Sequence, residues 1–98
     1  MINYRGMFML FEWDEEKAKT NLEKHGISFV DAIEVFYDPN RIEDDSSKPE
    51  HGEIRIKTIG MVRAELIITV ISTTRNRKLR IISARRARKN EKKQYYHG

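Results

Sequence analysis

One histidine and several basic residues are the side chains of this sequence best suited to chemistry at a phosphodiester. His25 follows Lys24, and Arg55 and Arg85 stand further along the chain. Attack on RNA by its own 2′-hydroxyl needs a proton acceptor, a proton donor and positive charge around the phosphate. Imidazole can transfer protons near neutral pH, and the planar fork of arginine can hold two phosphate oxygens. These residue types therefore make RNA cleavage a candidate function.

Each of these residues also has a structural interpretation. His25 could be a packed histidine that bonds a terminal carbonyl of a helix, and Arg55 with Lys57 could be ordinary solvent-facing strand residues. Arg80 fits a surface position, and Trp13 fits the core better than a platform for base stacking. The candidate RNA-binding residues are Trp13, Lys57, Arg80, Arg86 and Arg88.

Positive charge is concentrated at the C-terminal end. Residues 75–98 contain ten Lys or Arg and one acid, Glu91, and therefore carry +9, whereas the whole chain has a net charge of +4. Such a distribution indicates a polyanionic partner, either nucleic acid or an acidic protein. A solvated surface is the structural alternative.

Length and composition exclude several other classes. The 98 residues are predicted to form a single domain, with residues 1–8 as a flexible leader. The chain has no cysteine, and its three histidines lack metal-ligand spacing, so neither a metal nor a cofactor is expected. We expect no membrane partner and a cytoplasmic location, because neither a signal peptide nor a membrane-length apolar run is present.

A first helix is predicted between Asp14 and Gly26. Asp14 is a suitable N-cap, and Gly26 is suited to the left-handed conformation that ends many helices. Ala18, Leu22 and His25 recur at helical spacing, which predicts that they share one face of the helix.

A second helix is predicted from Ser28 to Phe36, and Asp38-Pro39 should end it. Its buried stripe would contain Phe29, Ile33 and Phe36. The short connection after the first helix predicts a helical hairpin.

The remaining chain reads mainly as strands. Strands are predicted at Met9–Trp13, Arg41–Glu43, Glu53–Met61, Ala64–Thr73 and Arg77–Arg85, followed by a helix at Arg86–Tyr96. Short connections make the last three strands an antiparallel meander with the middle one central. The expected fold is α+β, with two N-terminal helices packed on a small twisted antiparallel sheet and a C-terminal helix.

Several sequence blocks resemble one known family. They are Phe11-Glu-Trp-Asp14, Asn21-Leu-Glu-Lys-His-Gly-Ile-Ser-Phe29, Ala32-Ile-Glu-Val-Phe36 with Asp38-Pro39, Gly52-Glu-Ile-Arg55 with Ile59-Gly60, and Arg80-Ile-Ile-Ser-Ala-Arg85 with Ala87, Glu91 and Tyr95. Together they resemble the BrnT toxins, the ribonuclease half of a type II toxin–antitoxin pair. The resemblance covers nearly all of the chain from Phe11 to Tyr95.

The resemblance implies a RelE-like fold and RNA cleavage that arrests translation and growth. It implies a BrnA-type antitoxin with a ribbon-helix-helix domain, in a heterotetramer that binds operator DNA through the antitoxin. The residues that match the basic active site of the family are Lys24, His25, Arg55 and Arg85, with Trp13 and Arg80 as further matches.

A different function is compatible with the same charges. The chain could be a binding module without catalysis, whose basic tail binds an antitoxin or nucleic acid.

Overall fold

A six-stranded sheet is the centre of the fold in the computed structural model, which describes residues 1–6 and 9–97. The strands are β1 (Ile2–Arg5), β2 (Leu10–Trp13), β3 (Ile42–Asp45), β4 (Ile56–Val62), β5 (Leu66–Arg75) and β6 (Lys78–Arg86). The helices are α1 (Glu15–His25), α2 (Phe29–Ala32) and α3 (Lys89–His97), with 3-10 segments at Ile33–Tyr37 and Pro49–His51. The α+β class is therefore confirmed.

The sheet is larger than predicted and is mixed rather than antiparallel. Its strand order is β1-β2-β6-β5-β4-β3, and β2 runs parallel to β6 while every other pair is antiparallel. The meander of β4, β5 and β6 is confirmed, with β5 in the middle. The parallel pair arises because the chain leaves β2 through α1 and α2 and returns to its side only at the last strand.

The predicted N-terminal leader contains a strand. Ile2–Arg5 forms β1 and pairs antiparallel with β2, so that Ile2 lies opposite Trp13. The ring of Tyr4 stacks on that of Trp13 at 6.1 Å between centroids. Within the segment predicted as a leader, residues 2–5 therefore have a strand partner, a pairing with β2 that no local sequence pattern indicated. Met7 and Phe8 lie outside the described residues.

Helix α1 begins and ends as predicted but presents a different face. Asp14 accepts hydrogen bonds from the backbone of Glu16 and Lys17, and Gly26 closes the helix with φ 69°. Leu22 is 50% exposed, whereas Asn21 is 6% exposed. Of the predicted face, Ala18 packs against the core and Leu22 does not, because the polar side chain of Asn21 faces the sheet.

Asn21 takes the place of a neighbouring strand beside β6. Its side chain donates to the carbonyl of Ala84 at 2.8 Å and accepts from the N–H of Ala84 at 3.0 Å. It also donates to the carbonyl of Ile27 at 3.1 Å. Since β2 pairs with β6 only at Leu79 and Arg80, the outer edge of β6 is open at Ala84. The amide satisfies that edge and holds α1 against it.

The predicted second helix is a single α-helical turn followed by a 3-10 segment. Ser28 caps α2 by accepting from the N–H of Asp31 at 3.0 Å. The 3-10 segment then packs tightly on β4, where a Cβ on Gly60 would clash with the side chain of Val35. The regular helix predicted for Ser28–Phe36 is therefore wrong, because close packing against Gly60 favours the tighter winding.

Side chains pack on both faces of the sheet. The main core, under α1 and α2, includes Phe11, Trp13, Phe29, Val35, Ile68, Val70, Ile81 and Ala84. A smaller cluster under α3 contains Ile59, Ile67 and Ala87 with Met61 and Tyr95. Neighbouring strand residues point to opposite faces, so Ile67 and Ile68 show that α3 covers the face opposite α1.

Replacement of Asn21 by Ala should destabilise the fold strongly. The change removes three hydrogen bonds and leaves both backbone groups of Ala84 without their partner. We expect the free energy of unfolding, measured by urea denaturation, to fall by about 2–4 kcal/mol. Asn90→Ala, at an exposed position of α3, is the matched control and should change it by less than about 0.5 kcal/mol. Equal effects of the two substitutions would contradict the role of Asn21.

Candidate active site

Lys24 and His25 lie in the last turn of α1, at its C-terminal end. Both are exposed, and they border a groove of about 320 Å³ between α1 and β6. The other lining residues are Glu16, Lys17, Thr20, Asn21, Ile82 and Ser83. No hydrogen bond of the His25 ring occurs within residues 1–6 and 9–97. Its position therefore favours the accessible over the packed alternative.

Arg85 is bound by a buried carboxylate. Its two terminal nitrogens donate to the two oxygens of Glu91, at 2.7 and 2.9 Å, and one of them also approaches the carbonyl of Arg86 at 3.3 Å. This bond to Glu91 raises the pKa of Arg85. Much of the guanidinium fork that was predicted to hold a phosphate is therefore occupied within the protein.

Glu91 is the centre of a polar cluster on the α3 face of the sheet. It is 2% exposed and, besides Arg85, accepts from the hydroxyl of Thr69 at 3.0 Å and from the N–H of Arg88 at 2.8 Å. The ammonium of Lys57 lies 3.5 Å away. The hydrogen bond from Arg85 lowers the pKa of Glu91 to about 2, against the opposing effect of burial. The carboxylate is therefore ionised at neutral pH and is a very weak base.

The other predicted strand cations also have carboxylate partners. Arg55 lies 3.2 Å from Glu53, which Arg75 approaches at 2.6 Å. Arg80 lies 3.2 Å from Glu12 across the parallel pair of β2 and β6. Arg55, which was predicted within a strand, precedes β4, and salt bridges neutralise both it and Arg80.

The structure divides the predicted site residues into groups. Glu91 brings Arg85 and Lys57 together, whereas Arg55 and Arg80 have separate partners, and none of these four lines the groove of Lys24 and His25. The groove and the cluster meet through β6. Ser83 lines the groove. Arg85 follows two residues later on β6, so its side chain points to the same face of the sheet as that of Ser83, with the two Cα atoms about 7 Å apart.

The remaining predicted RNA-binding residues differ in accessibility. Trp13 is 5% exposed and packs edge-on against Phe29 at 6.0 Å, so its position favours the core alternative over contact with RNA. Arg86 and Arg88 are exposed, and neither side chain forms an ion pair in the described part of the chain.

Two residues that position the candidate site, Glu91 and Asn21, were not predicted as site residues. Glu91 is the single acid in the strongly basic C-terminal segment, and that isolation is a signal of an internal partner. Asn21 gives no comparable signal, because an asparagine within a helix is ordinary and its partner Ala84 is distant in sequence.

The described residues contain neither a metal-binding cluster nor a membrane-spanning helix. No group of three or more histidine, aspartate or glutamate side chains there is arranged to hold a metal ion. No helix among the same residues is long and apolar enough to cross a membrane.

The fold and the sequence together place this chain in a family of ribonuclease toxins of type II toxin–antitoxin systems. The sequence pattern of the family described as "Ribonuclease toxin, BrnT, of type II toxin-antitoxin system" matches residues 13–91. This chain belongs to the BrnT family, and the resemblance predicted from its sequence is confirmed. An antitoxin partner and an RNA substrate are implied by that membership.

A solved structure supports the same assignment. The crystal structure of the Brucella abortus ribonuclease toxin BrnT is similar, with a TM-score of 0.64 and 32% sequence identity. The match covers 81% of this chain and 96% of that one. A comparison with curated proteins gives no match.

Replacement of Glu91 by Gln should reduce the dependence of stability on acid pH. The pKa of Glu91 lies near 2 in the folded chain and near its ordinary value of 4.5 in the unfolded chain, so its ionisation stabilises the fold above pH 4.5. That contribution, on the order of 3 kcal/mol, is lost as the pH falls from 4.5 to 2. Urea denaturation across this range should show a steeper loss of stability for the natural chain than for Glu91→Gln.

Glu23→Gln removes an exposed carboxylate of α1 and is the control. It should preserve the acid dependence of the natural chain. If Glu91→Gln preserved it as well, the ionised cluster would not contribute to stability in this way.

Proposed function

We propose that this chain is a metal-independent endoribonuclease that acts in the cytoplasm, cleaves RNA and thereby arrests translation and growth. The observation that carries the proposal is the exposed imidazole of His25 in a groove whose other wall, β6, also carries Arg85. Membership of a ribonuclease toxin family supports RNA as the substrate.

The proposed reaction is attack by the 2′-oxygen of RNA on the adjacent phosphorus. The new bond from that oxygen to phosphorus forms as the bond to the 5′-oxygen breaks, which leaves a 2′,3′-cyclic phosphate and a free 5′-hydroxyl. One group removes the proton of the 2′-hydroxyl, and another gives a proton to the departing oxygen. His25 performs one of these two transfers, and Lys24 beside it adds positive charge to the groove.

Arg55 and Arg85 are proposed to stabilise the charge on the phosphate. The bidentate bond to Glu91 fixes the plane of the Arg85 guanidinium while part of its hydrogen-bonding capacity stays free. A donor that is already oriented needs little reorganisation as charge develops in the transition state. Glu91 would then act as a positioning residue for Arg85, since its own low pKa makes it unsuited to proton transfer.

Cleavage of an end-labelled RNA in EDTA, without ribosomes, tests this proposal. We expect His25→Ala to lower kcat by about 100-fold or more, because it removes a proton-transfer group. Arg85→Lys keeps the charge but loses the fork, and should lower kcat more than it weakens RNA binding. Lysine is preferred to alanine here because alanine would leave the buried Glu91 without its main partner.

Two substitutions of the same kinds serve as controls. His51→Ala changes another histidine, on the 3-10 segment Pro49–His51, and Arg63→Lys changes another arginine that pairs with a carboxylate, Asp31. Both should cleave at the natural rate. If the folded natural chain cleaved no RNA, the alternative of a non-catalytic binding module would be favoured, an alternative that the internal pairing of the strand arginines also supports.

The antitoxin is proposed to be of the BrnA type, with a ribbon-helix-helix domain that bridges two toxins and binds operator DNA. It would inhibit by covering the basic surface between Arg80 and Lys93, where the positive charge of the chain is concentrated. Exclusion of RNA would then need no change in the fold of the toxin.

Hydrogen exchange of the toxin alone and in complex with its antitoxin tests this arrangement. We expect slower exchange in β6 and α3 of the complex, because a bound partner shields their amides. Protection confined to β3 and β4, with RNA still excluded, would contradict inhibition by occlusion.

A further inference from the structure

The outward side of α3 carries basic residues without carboxylate partners. Lys89, Lys92 and Lys93 are exposed, and their side chains form no ion pair among residues 1–6 and 9–97. By contrast, Arg80 and Arg85 of β6 are each bonded to a glutamate. The described chain therefore has cations that are neutralised internally and cations that remain available to an external anion.

Helical spacing gathers these lysines around an exposed aromatic ring. With 3.6 residues per turn, positions 89, 92, 93 and 96 share one side of α3. Tyr96, at the end of this stripe, is 60% exposed. The opposite side carries Glu91 and Tyr95, which bond to Arg85 and to Asp38 and hold the helix on the sheet. We call the outward set, Lys89, Lys92, Lys93 and Tyr96, the lysine stripe.

The lysine stripe is not what helix stability alone favours. Like charges at i and i+4, such as Lys89 and Lys93, destabilise a helix, whereas opposite charges at that spacing stabilise it. Helix α1 follows the stabilising pattern, with Glu15, Lys19 and Glu23 in succession at this spacing. In α3 the single acid is turned inward, so the repulsion among the outward lysines is left for an outside anion to relieve.

We propose that the lysine stripe captures single-stranded RNA, with the lysines on its phosphates and the Tyr96 ring stacked on an unpaired base. This inference rests on the proposed ribonuclease function and names a binding surface outside the groove of His25. A cationic surface with an aromatic platform is how many proteins bind single strands. Tyr96 is the sole large apolar residue of the stripe, so the stripe fits the charged backbone of a nucleic acid better than the apolar face of a protein.

The stripe is continuous with the candidate active site. Arg86 ends β6 and Arg88 precedes α3, and both are exposed and without an ion pair in the described chain. They join the lysine stripe to Arg85, which lies at the same end of β6. An RNA strand bound to α3 can therefore extend along the unpaired side chains of Arg88 and Arg86 to Arg85, which is proposed to bind the phosphate.

The salt dependence of RNA binding tests the proposed contacts. The probe is a fluorescent single-stranded oligonucleotide with 2′-O-methyl groups, which cannot be cleaved because its 2′-oxygen carries no proton. Fluorescence anisotropy gives its Kd between about 50 and 300 mM NaCl, where each phosphate contact contributes about 0.7 to the slope of log Kd against log salt. Lys89→Gln/Lys93→Gln should weaken binding roughly 5–20-fold at low salt and reduce that slope by about 1.4.

A charge-matched control separates local contacts from net charge. Lys19→Gln/Lys48→Gln removes two exposed lysines that lie outside α3 and should keep the natural slope. The stacking contact is tested by Tyr96→Leu, which should weaken binding by about fivefold or more with an unchanged slope, because no charge is lost.

The outcomes separate this inference from the proposed catalysis. Equal slopes and affinities for the natural chain and the Lys89/Lys93 double variant would overturn the inference. Loss of affinity for purified antitoxin alone, with RNA binding intact, would also overturn it and assign the stripe to the antitoxin. The expected change of slope in a chain that cleaves no RNA would uphold the binding surface while refuting the proposed nuclease.

Discussion

The C-terminal half of the molecule is arranged around one buried carboxylate, that of Glu91. An unpaired charge at 2% exposure would cost several kcal/mol, so the neighbouring elements must supply its partners. Strand β6 provides Arg85, β5 provides Thr69 and β4 provides Lys57. The N–H of Arg88, just before α3, is the fourth partner. The carboxylate thus links three strands and a helix, and a shift in the register of any of them would separate it from a partner.

An uncharged side chain, that of Asn21, holds the free edge of β6. Asn21 bonds both backbone groups of Ala84, and the next residue, Arg85, is held through its side chain by Glu91. The segment of β6 that borders the groove of His25 is therefore fixed by α1 on one side and by α3 on the other. The Arg85 guanidinium on this segment is already oriented without a ligand, which is what the proposed stabilisation of a phosphate requires.

Local rules predicted the parts of the fold that depend on neighbouring residues. The cap at Asp14, the end at Gly26 and the meander of the last three strands follow from capping and short connections. The inward face of α1 could not be predicted, because Asn21 is buried through bonds to a residue 63 positions away. The same limit applies to the site. Arg55 and Arg85 were predicted from their residue type, but their carboxylate partners are visible only in the folded structure.

The separation of paired from unpaired cations gives the uneven charge of the chain a physical meaning. Residues 75–98 carry +9, and three glutamates neutralise part of it, Glu53 at Arg75, Glu12 at Arg80 and Glu91 at Arg85. These bonded arginines stabilise the fold through their ion pairs, so an external anion must compete with a carboxylate to bind them. The unpaired remainder lies on α3 and at its junction with β6, where a polyanion needs to displace only water and counterions. Under the proposed function, RNA and an acidic antitoxin segment would compete for this same charge, so inhibition would follow from competition alone while the bonds of Glu91 to its partners stay unchanged.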